Sequence, residues 1–592
     1  MTRTLSFFLL VAIISCVWMT TASAQAPDSV LAEIFEDDWT AREDNRDAIK
    51  LFGDDKPEKR PFRDVSPAAT VRRQARDVVM LDRLHDIAFD SLSQKSKLNY
   101  RLFEFDLNDR ISDADRKAWR IPFLSDNGFH TSLAGSIEET SMKDVDEIEE
   151  YIRKLEAIPG YLDQQISNMR VGLADGYTQP RAIMAKIAPG FEALTAASAE
   201  ESIFYAPFRR LPESLSEDEQ LVFQIRGQNI LKTQVLPALS ALHEFIKDEY
   251  TPQARESLGA SDLPDGAQYY QSLISYYTTL DLTAEEIHAI GLEEVSRIRA
   301  EMEEIIDEVE FEGSFEDFLL FLRTDPQFYV ENAEELMMHA AWIAKRIDEK
   351  MPAFFRDLPR MSYGVRAVPD EIAPNYTTGR YWAPIKNVRG GLFMVNTYNL
   401  PERPLYNLPA LALHEGVPGH HHQIALAAEM TGVPEFRKSL YLSVFGEGWG
   451  LYSERLGLEM GIYRTPYERF GRLTYEMWRA GRLVVDTGIH AMGWSREQAV
   501  DFFLKNTALA EHNINTEVDR YISWPAQALS YKIGELKIVA LRRRAEDSLG
   551  DDFDIRDFHR AILHNGTVPL EIMDDQINEY IDGVRAASDV KE

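Results

Sequence analysis

Four of the thirteen histidines fall within nine residues: His414, His420, His421 and His422, with Glu415 beside the first. The segment reads LALHEGVPGHHHQIALA, so these side chains are flanked on both sides by apolar sequence. Neutral imidazole is a good zinc ligand, and dry walls strengthen the field of an ion. A satisfied histidine cluster or a helix cap would account for one histidine more readily than for a His-Glu pair followed by three more.

The spacing decides how such a site can be built. In His-Glu-x-x-His, two ligands stand one helical turn apart and the glutamate serves as general base. Here Pro418 occupies the place of the second ligand. At ~100° per residue His420 falls well off the face of His414, and His421 returns to that face only ~10.5 Å further along the axis. A regular helix through the motif cannot chelate one ion. Gly416, Pro418 and Gly419 therefore predict a broken or bulged helix that swings a later histidine back. His420 is the preferred second ligand, with His421 as the alternative.

A third ligand is expected downstream, in VFGEGWGLYSERLG. Glu447 lies 27 residues past His420, enough for a helix, a turn and a return, and its flanking glycines permit close helix approach. Glu454 is the alternative, or an outer partner orienting a ligand histidine. His414, His420 and Glu447 would hold one zinc ion per chain and leave a tetrahedral position open to water, with Glu415 as the base. Further on, EVDRYISWPAQALSYKIGELKI predicts a helix opening at Pro525, with Gln527, Tyr531 and Gly534 on one face. A tyrosine there could donate to a developing oxyanion. Arg520 or Lys532 could hold a substrate carboxylate. Gln527 and Asn396 complete the candidate substrate contacts.

The elements that must position these residues read mostly as helix. Ser216 to Glu219 and Thr283 to Glu286 are capping boxes that each lead into an apolar stripe at helical spacing, and Ser141 to Asp144 marks another start. The clearest strand is Gly390 to Tyr398, closed by the breaker cluster Asn399 to Pro404. Leu392 to Thr397 could pair with an extended substrate as an edge strand. There is no fixed-period repeat and no low-complexity linker, so one mainly α body with a small β-sheet is expected over residues 25–592.

Charge and the N-terminus bound the rest. With 97 Asp+Glu against 64 Lys+Arg the net charge is −33, which excludes nucleic acid as a partner. Residues 1–24 read as a signal peptide: Arg3, an apolar run from Leu5 to Trp18, and Ala22-Ser23-Ala24 as the cleavage site. That run is too short for a comfortable membrane span, and no later one approaches ~20 residues. Cys16, the single cysteine, lies inside the leader. Ile13 to Cys16 also loosely matches a lipoprotein box, so lipidation at Cys16 is the alternative to cleavage after Ala24. Either route makes the protein exported, periplasmic or extracellular.

Taken in order, GGLFMVNTYNLPERPLYNLPALALHEGVPGHHHQ, GEGWGLYSERLG and PAQALSYKIGELKI resemble the bacterial domain-of-unknown-function 885 family, over roughly residues 30 to 588. Two departures are local: Arg389-Gly390-Gly391 where such sequences often have Arg-Pro-Gly, and Pro525-Ala526-Gln527 in place of Pro-Gly-Gln. The resemblance implies a gluzincin-like, largely helical metallopeptidase, related to the angiotensin-converting-enzyme, thimet-oligopeptidase and carboxypeptidase Taq families. It also implies a two-lobed body around a deep cleft, with an N-terminal lobe near 25–365 and a metal-site lobe near 366–592. In that analogy His414, His420 and Glu447 are ligands, Glu415 the base and Tyr531 the oxyanion donor.

The expected function is an exported zinc-dependent peptidase on short peptides. The alternatives are a metal-dependent amidase or isopeptidase on cell-wall or secondary-metabolite amides, and a non-catalytic binding protein with a remnant metal site. The intact mass of exported protein checks the address: a chain starting at Gln25 is expected, and a lipid-modified Cys16 would overturn it.

Overall fold

The computed structural model describes residues 26–44, 61–138, 140–370, 372–385 and 389–589. The leader and Cys16 lie outside the described residues. The chain is mainly helical, with one three-stranded sheet. None of the described helices is long and apolar enough to cross a membrane. A single apolar cluster runs from Leu31 to Ile581 and joins N-terminal helices to the last one.

Caps set the long helices where the sequence places them. Helix α1 (Val145–Asp175) starts on Asp144, whose carboxylate accepts from the Glu147 N–H at 2.9 Å, and stops at Gly176 in the left-handed conformation. Helix α2 (Ala284–Glu308) opens on the Thr283/Glu286 capping box. The other box, Ser216/Glu219, opens the helix Glu217–Ile230. Its stripe is buried only from Ile230 onward; Leu221, Val222 and Ile225 are exposed.

One strand was legible and two were not. β1 (Tyr363–Ala367), β2 (Gly379–Trp382) and β3 (Gly391–Val395) form a sheet in the order β1-β3-β2, parallel on the β1 side and antiparallel on the β2 side. β3 is apolar and fully buried, whereas β1 and β2 are short, half-exposed and sit in a Pro/Gly-rich stretch that reads as a boundary. The substrate-pairing expectation for Leu392 to Thr397 is corrected here. β3 is hydrogen-bonded on both sides and offers no edge.

The metal-ligand segments then follow as α3 (Leu408–Glu415), α4 (His420–Ala428) and α5 (Ser443–Leu456). α6 (Pro466–Ala491) is buried on every face from Phe470 to His490, which makes it the central post of the fold. α2 lies along it, so close that a Cβ on Gly291 would sit 2.8 Å from Leu483 Cβ. α7 (Glu511–Ser523) and α8 (Ser530–Leu549) close the site.

Pro525 does not start α8. The chain passes through Ala526 at φ 68°, then a 3₁₀ turn over Gln527–Leu529, before the α-helix begins at Ser530. The Ala526 N–H donates to both Asp486 oxygens, at 3.1 and 3.2 Å, which pins it in the left-handed region. An L side chain pays about 1–2 kcal/mol there, part of which glycine gives back through its looser unfolded chain. Ala526→Gly should therefore raise stability by about 0.5–1 kcal/mol, read as a higher urea midpoint at unchanged slope. A lower midpoint would show that the left-handed backbone is not the governing cost.

Candidate metal centre

The HEGVPGHHH segment is broken as its glycines predict. α3 ends at Glu415, the chain turns through Gly416 to Gly419 across a cis Val417–Pro418 peptide, and α4 starts at His420. The turn is fastened by Gly419 N–H to Leu413 O at 3.0 Å, His421 N–H to Gly416 O at 3.1 Å, and Trp449 Nε1–H to Pro418 O at 2.7 Å. A Cβ on Gly419 would lie 1.9 Å from the His414 carbonyl oxygen, so only glycine fits. The result brings the His414 and His420 rings to 4.7 Å between centroids, nearly perpendicular.

α5 supplies the carboxylate from the opposite wall. Glu447 Oε2 lies 3.3 Å from His414 Nε2 and 3.3 Å from His420 Nε2. Donor atoms of His414, His420 and Glu447 all fall within 4.8 Å of one another. Glu454, two turns along the same helix, takes His414 Nδ1 at 2.8 Å, which leaves Nε2 for the cluster. The Gln423 side-chain N–H₂ donates to His420 Nδ1 and to Gly446 O, both at 2.9 Å, the reverse of the Glu454 contact. His414 thus has Nδ1 fixed from behind by a carboxylate and Nε2 aimed inward, as ligand histidines have, and His420 Nε2 is aimed at the same carboxylate oxygen of Glu447.

Electrostatics agree with a cation-seeking site. Burial disfavours a charged His414, but its hydrogen bonds to the Glu447 and Glu454 carboxylates outweigh it and push the imidazole up to about 9. Burial would likewise raise Glu447, yet the His420 and His414 imidazoles hold its carboxyl well below the usual range. Two imidazole nitrogens and one carboxylate oxygen are the donor set of an open zinc site. The residues present fit that metal.

The profile of a family described as a bacterial protein of unknown function, DUF885, matches residues 50–577. The chain belongs to this family. No curated protein matches it. Among solved structures, a candidate lipoprotein of Colwellia psychrerythraea shares 27% identity at a TM-score of 0.86, over 94% of this chain and 99% of that one. A candidate lipoprotein of unknown function from Shewanella oneidensis, 18% identical with a TM-score of 0.69 over 93% and 99% of the two chains, shares the fold.

In this DUF885 protein the cluster opens on a cavity of ≈ 80 Å³. Glu415 and Tyr531 line it with the three candidate ligands. Glu415 Oε2 accepts the backbone N–H of Tyr381 in β2 at 2.7 Å, so the edge strand aims the carboxylate. The Tyr531 ring stacks 6.4 Å from the His414 ring. It gets there because α5 and α8 cross at backbone contact: a Cβ on Gly448 would lie 2.6 Å from Gly534 Cα.

Other candidates are placed elsewhere. His421 spends both nitrogens, on Met361 O at 2.9 Å and the Tyr381 hydroxyl at 3.0 Å, and is no ligand. Lys532 is fully buried among Glu294, Glu476 and Glu535 at 2.8–2.9 Å and faces away from the cavity. The reason is helical: at ~100° per residue Tyr531 and its neighbour cannot share a face. Asn396 is fully buried and donates to the carbonyls of Ala373, Tyr376 and Thr377, so it shapes the approach to β2 and is not open to a substrate. Gln527 donates to Ser443 Oγ at 3.1 Å and accepts from Arg520, which does line the cavity.

Four charged lining residues escaped the sequence reading: Arg380 of β2, Arg479 and Arg482 of α6, and Glu517 of α7. A signal existed in EMWRAGRLVVD, where two arginines three apart interrupt an apolar helix. Zinc titration checks the assignment. His414→Ala and His420→Ala should abolish a one-to-one ion, His421→Ala should retain it, and Glu454→Gln should weaken it about 10–100-fold by chelator competition. Loss of the ion in His421→Ala alone would overturn the ligand set.

Proposed function

We propose that this DUF885 protein is an exported zinc-dependent peptidase that hydrolyses short peptides, a helical relative of the gluzincins with its cleft between an N-terminal and a metal-site lobe. The observation that carries the reading is the convergence of His414, His420 and Glu447 on one point, with Glu415 and Tyr531 on the same cavity. A binding site for a metal alone would need neither of the last two. Zinc held by these three residues supplies Lewis-acid polarisation of a carbonyl and acidification of a water.

The chain's own groups account for the proton traffic. Glu415 has Oε2 tied to the Tyr381 N–H, which leaves Oε1 to take a proton from the attacking water. The same oxygen then returns it to the nitrogen of the departing amine. The Tyr531 hydroxyl makes no hydrogen bond among the described residues and is free to donate to the carbonyl oxygen as negative charge builds there. The small volume beside the candidate ligands, ≈ 80 Å³, supports short or terminal substrates over folded protein. Export rests on the leader segment, and the two similar candidate lipoproteins support an envelope or exported address.

Glu415→Gln keeps the shape and removes the base, so turnover of a mixed peptide library should fall about 10²–10⁴-fold with zinc content unchanged. Tyr531→Phe should cost on the order of 10²–10³ in kcat with little change in KM. Unmodified turnover in both variants, zinc still bound, would sink the peptidase reading.

A further inference from the structure

The cavity wall carries a charge imbalance that the chemistry above does not use. Arg482 and Arg520 are 3% and 7% exposed, and both rely on one carboxylate oxygen. Arg482 Nη2 donates to Glu517 Oε2 at 3.0 Å, and Arg520 Nη1 reaches the same atom at 3.5 Å. The other end of Arg520 meets only the neutral amide oxygen of Gln527. Arg482 Nη1 and Arg520 Nε are buried with no acceptor among the described residues. Arg479 is matched by Glu454 at 3.3 Å, and the more exposed Arg380 by Asp126 at 3.4 Å. Apart from Glu447 of the metal cluster and Glu415, which is tied to the Tyr381 N–H, four guanidinium groups therefore face three carboxylates, Asp126, Glu454 and Glu517.

Buried unmatched charge is costly, and a group that supplies the missing anion recovers that cost on binding. The surplus also lies close to the proposed chemistry. Arg482 Cζ is 4.1 Å and Arg479 Cζ 5.9 Å from the centre of the Tyr531 ring, which itself stacks on His414. Nor is it a general surface property, since the chain as a whole carries −33. A positive spot in so acidic a protein is local and directed.

We propose that Arg520, flanked by Arg380 and Arg482, binds a substrate carboxylate next to the scissile bond. Short peptides with a free C-terminal carboxylate, or with an acidic side chain at that position, are then the preferred substrate class. This deepens the peptidase reading and rests on it for the bond broken, but the carboxylate site itself does not depend on turnover.

Calorimetry on metal-free protein tests it with N-acetyl-alanyl-alanine against its C-terminal amide, and N-acetyl-glutamate amide against N-acetyl-glutamine amide. One of the two acids should bind about ten- to a hundredfold more tightly than its amide, and which one tells a terminal carboxylate from a side chain. In Arg520→Gln that preference should collapse, with the melting temperature monitored. Arg380→Gln, 46% exposed and safe for folding, should reduce it in a chain whose stability is unchanged. On the zinc-loaded enzyme the same discrimination should appear in KM for free against amidated peptides. Equal binding of acid and amide by the unmodified protein, or full preference retained in both variants, overturns the proposal even if peptides are cleaved. Preference without any cleavage supports the carboxylate site while the peptidase reading falls.

Discussion

The His414 imidazole is gripped at both nitrogens by one helix, and the rest of the site is arranged around that grip. Glu447 and Glu454 stand seven residues apart on α5, two turns on one face, and reach Nε2 and Nδ1 respectively. Gly450 lies between them, and a Cβ there would fall 2.7–2.9 Å from the ring atoms, so the imidazole lies flat on bare backbone. Once this ring is fixed, the turn at Gly416–Gly419 need only deliver His420 beside it. The α5–α8 crossing need only deliver Tyr531 above it.

Charge is handled in two different ways within a few residues of one another. Lys532, Glu294, Glu476 and Glu535 form a network in which Arg297 and Arg472 also take part, and each charged group has an oppositely charged partner within 3 Å although Arg472 Nε stays unbonded among the described residues. That network ties α2, α6 and α8 together and faces no cavity. On the neighbouring wall the guanidinium groups of Arg482 and Arg520 share one acid and retain unpaired N–H groups. Residue-level burial is alike in the two places; the difference is the presence of a space for something else to enter.

Much of this was legible in the sequence, and the exceptions have physical causes. A proline where a helix ligand should stand, framed by glycines, predicts the break, because helix geometry alone forbids chelation otherwise. Glycines around Glu447 predict the close helix approach. Capped long helices declare themselves locally. What the sequence hid was direction: whether Lys532 or Tyr531 turns inward, and whether Asn396 serves a ligand or its own loop, depends on partners far away in the chain. The strands β1 and β2 were hidden for a similar reason, since they owe their existence to pairing with β3 and not to their own composition. Arg479 and Arg482 were overlooked because their α6 segment carries no motif of metal chemistry.

The three glycines of α5 carry one more implication. Gly446 is pressed by the Tyr441 side chain, Gly448 by the α8 backbone and Gly450 by His414. Within a 14-residue segment they cost about 3 kcal/mol of intrinsic helicity relative to alanine. Left to itself the segment is a reluctant helix, so Glu447 and Glu454 have no fixed spacing until three separate neighbours are already in contact. The binding point thus depends on contacts that the segment cannot supply by itself, and a fragment lacking α8 would keep every donor residue while α5 lost one of its three supports.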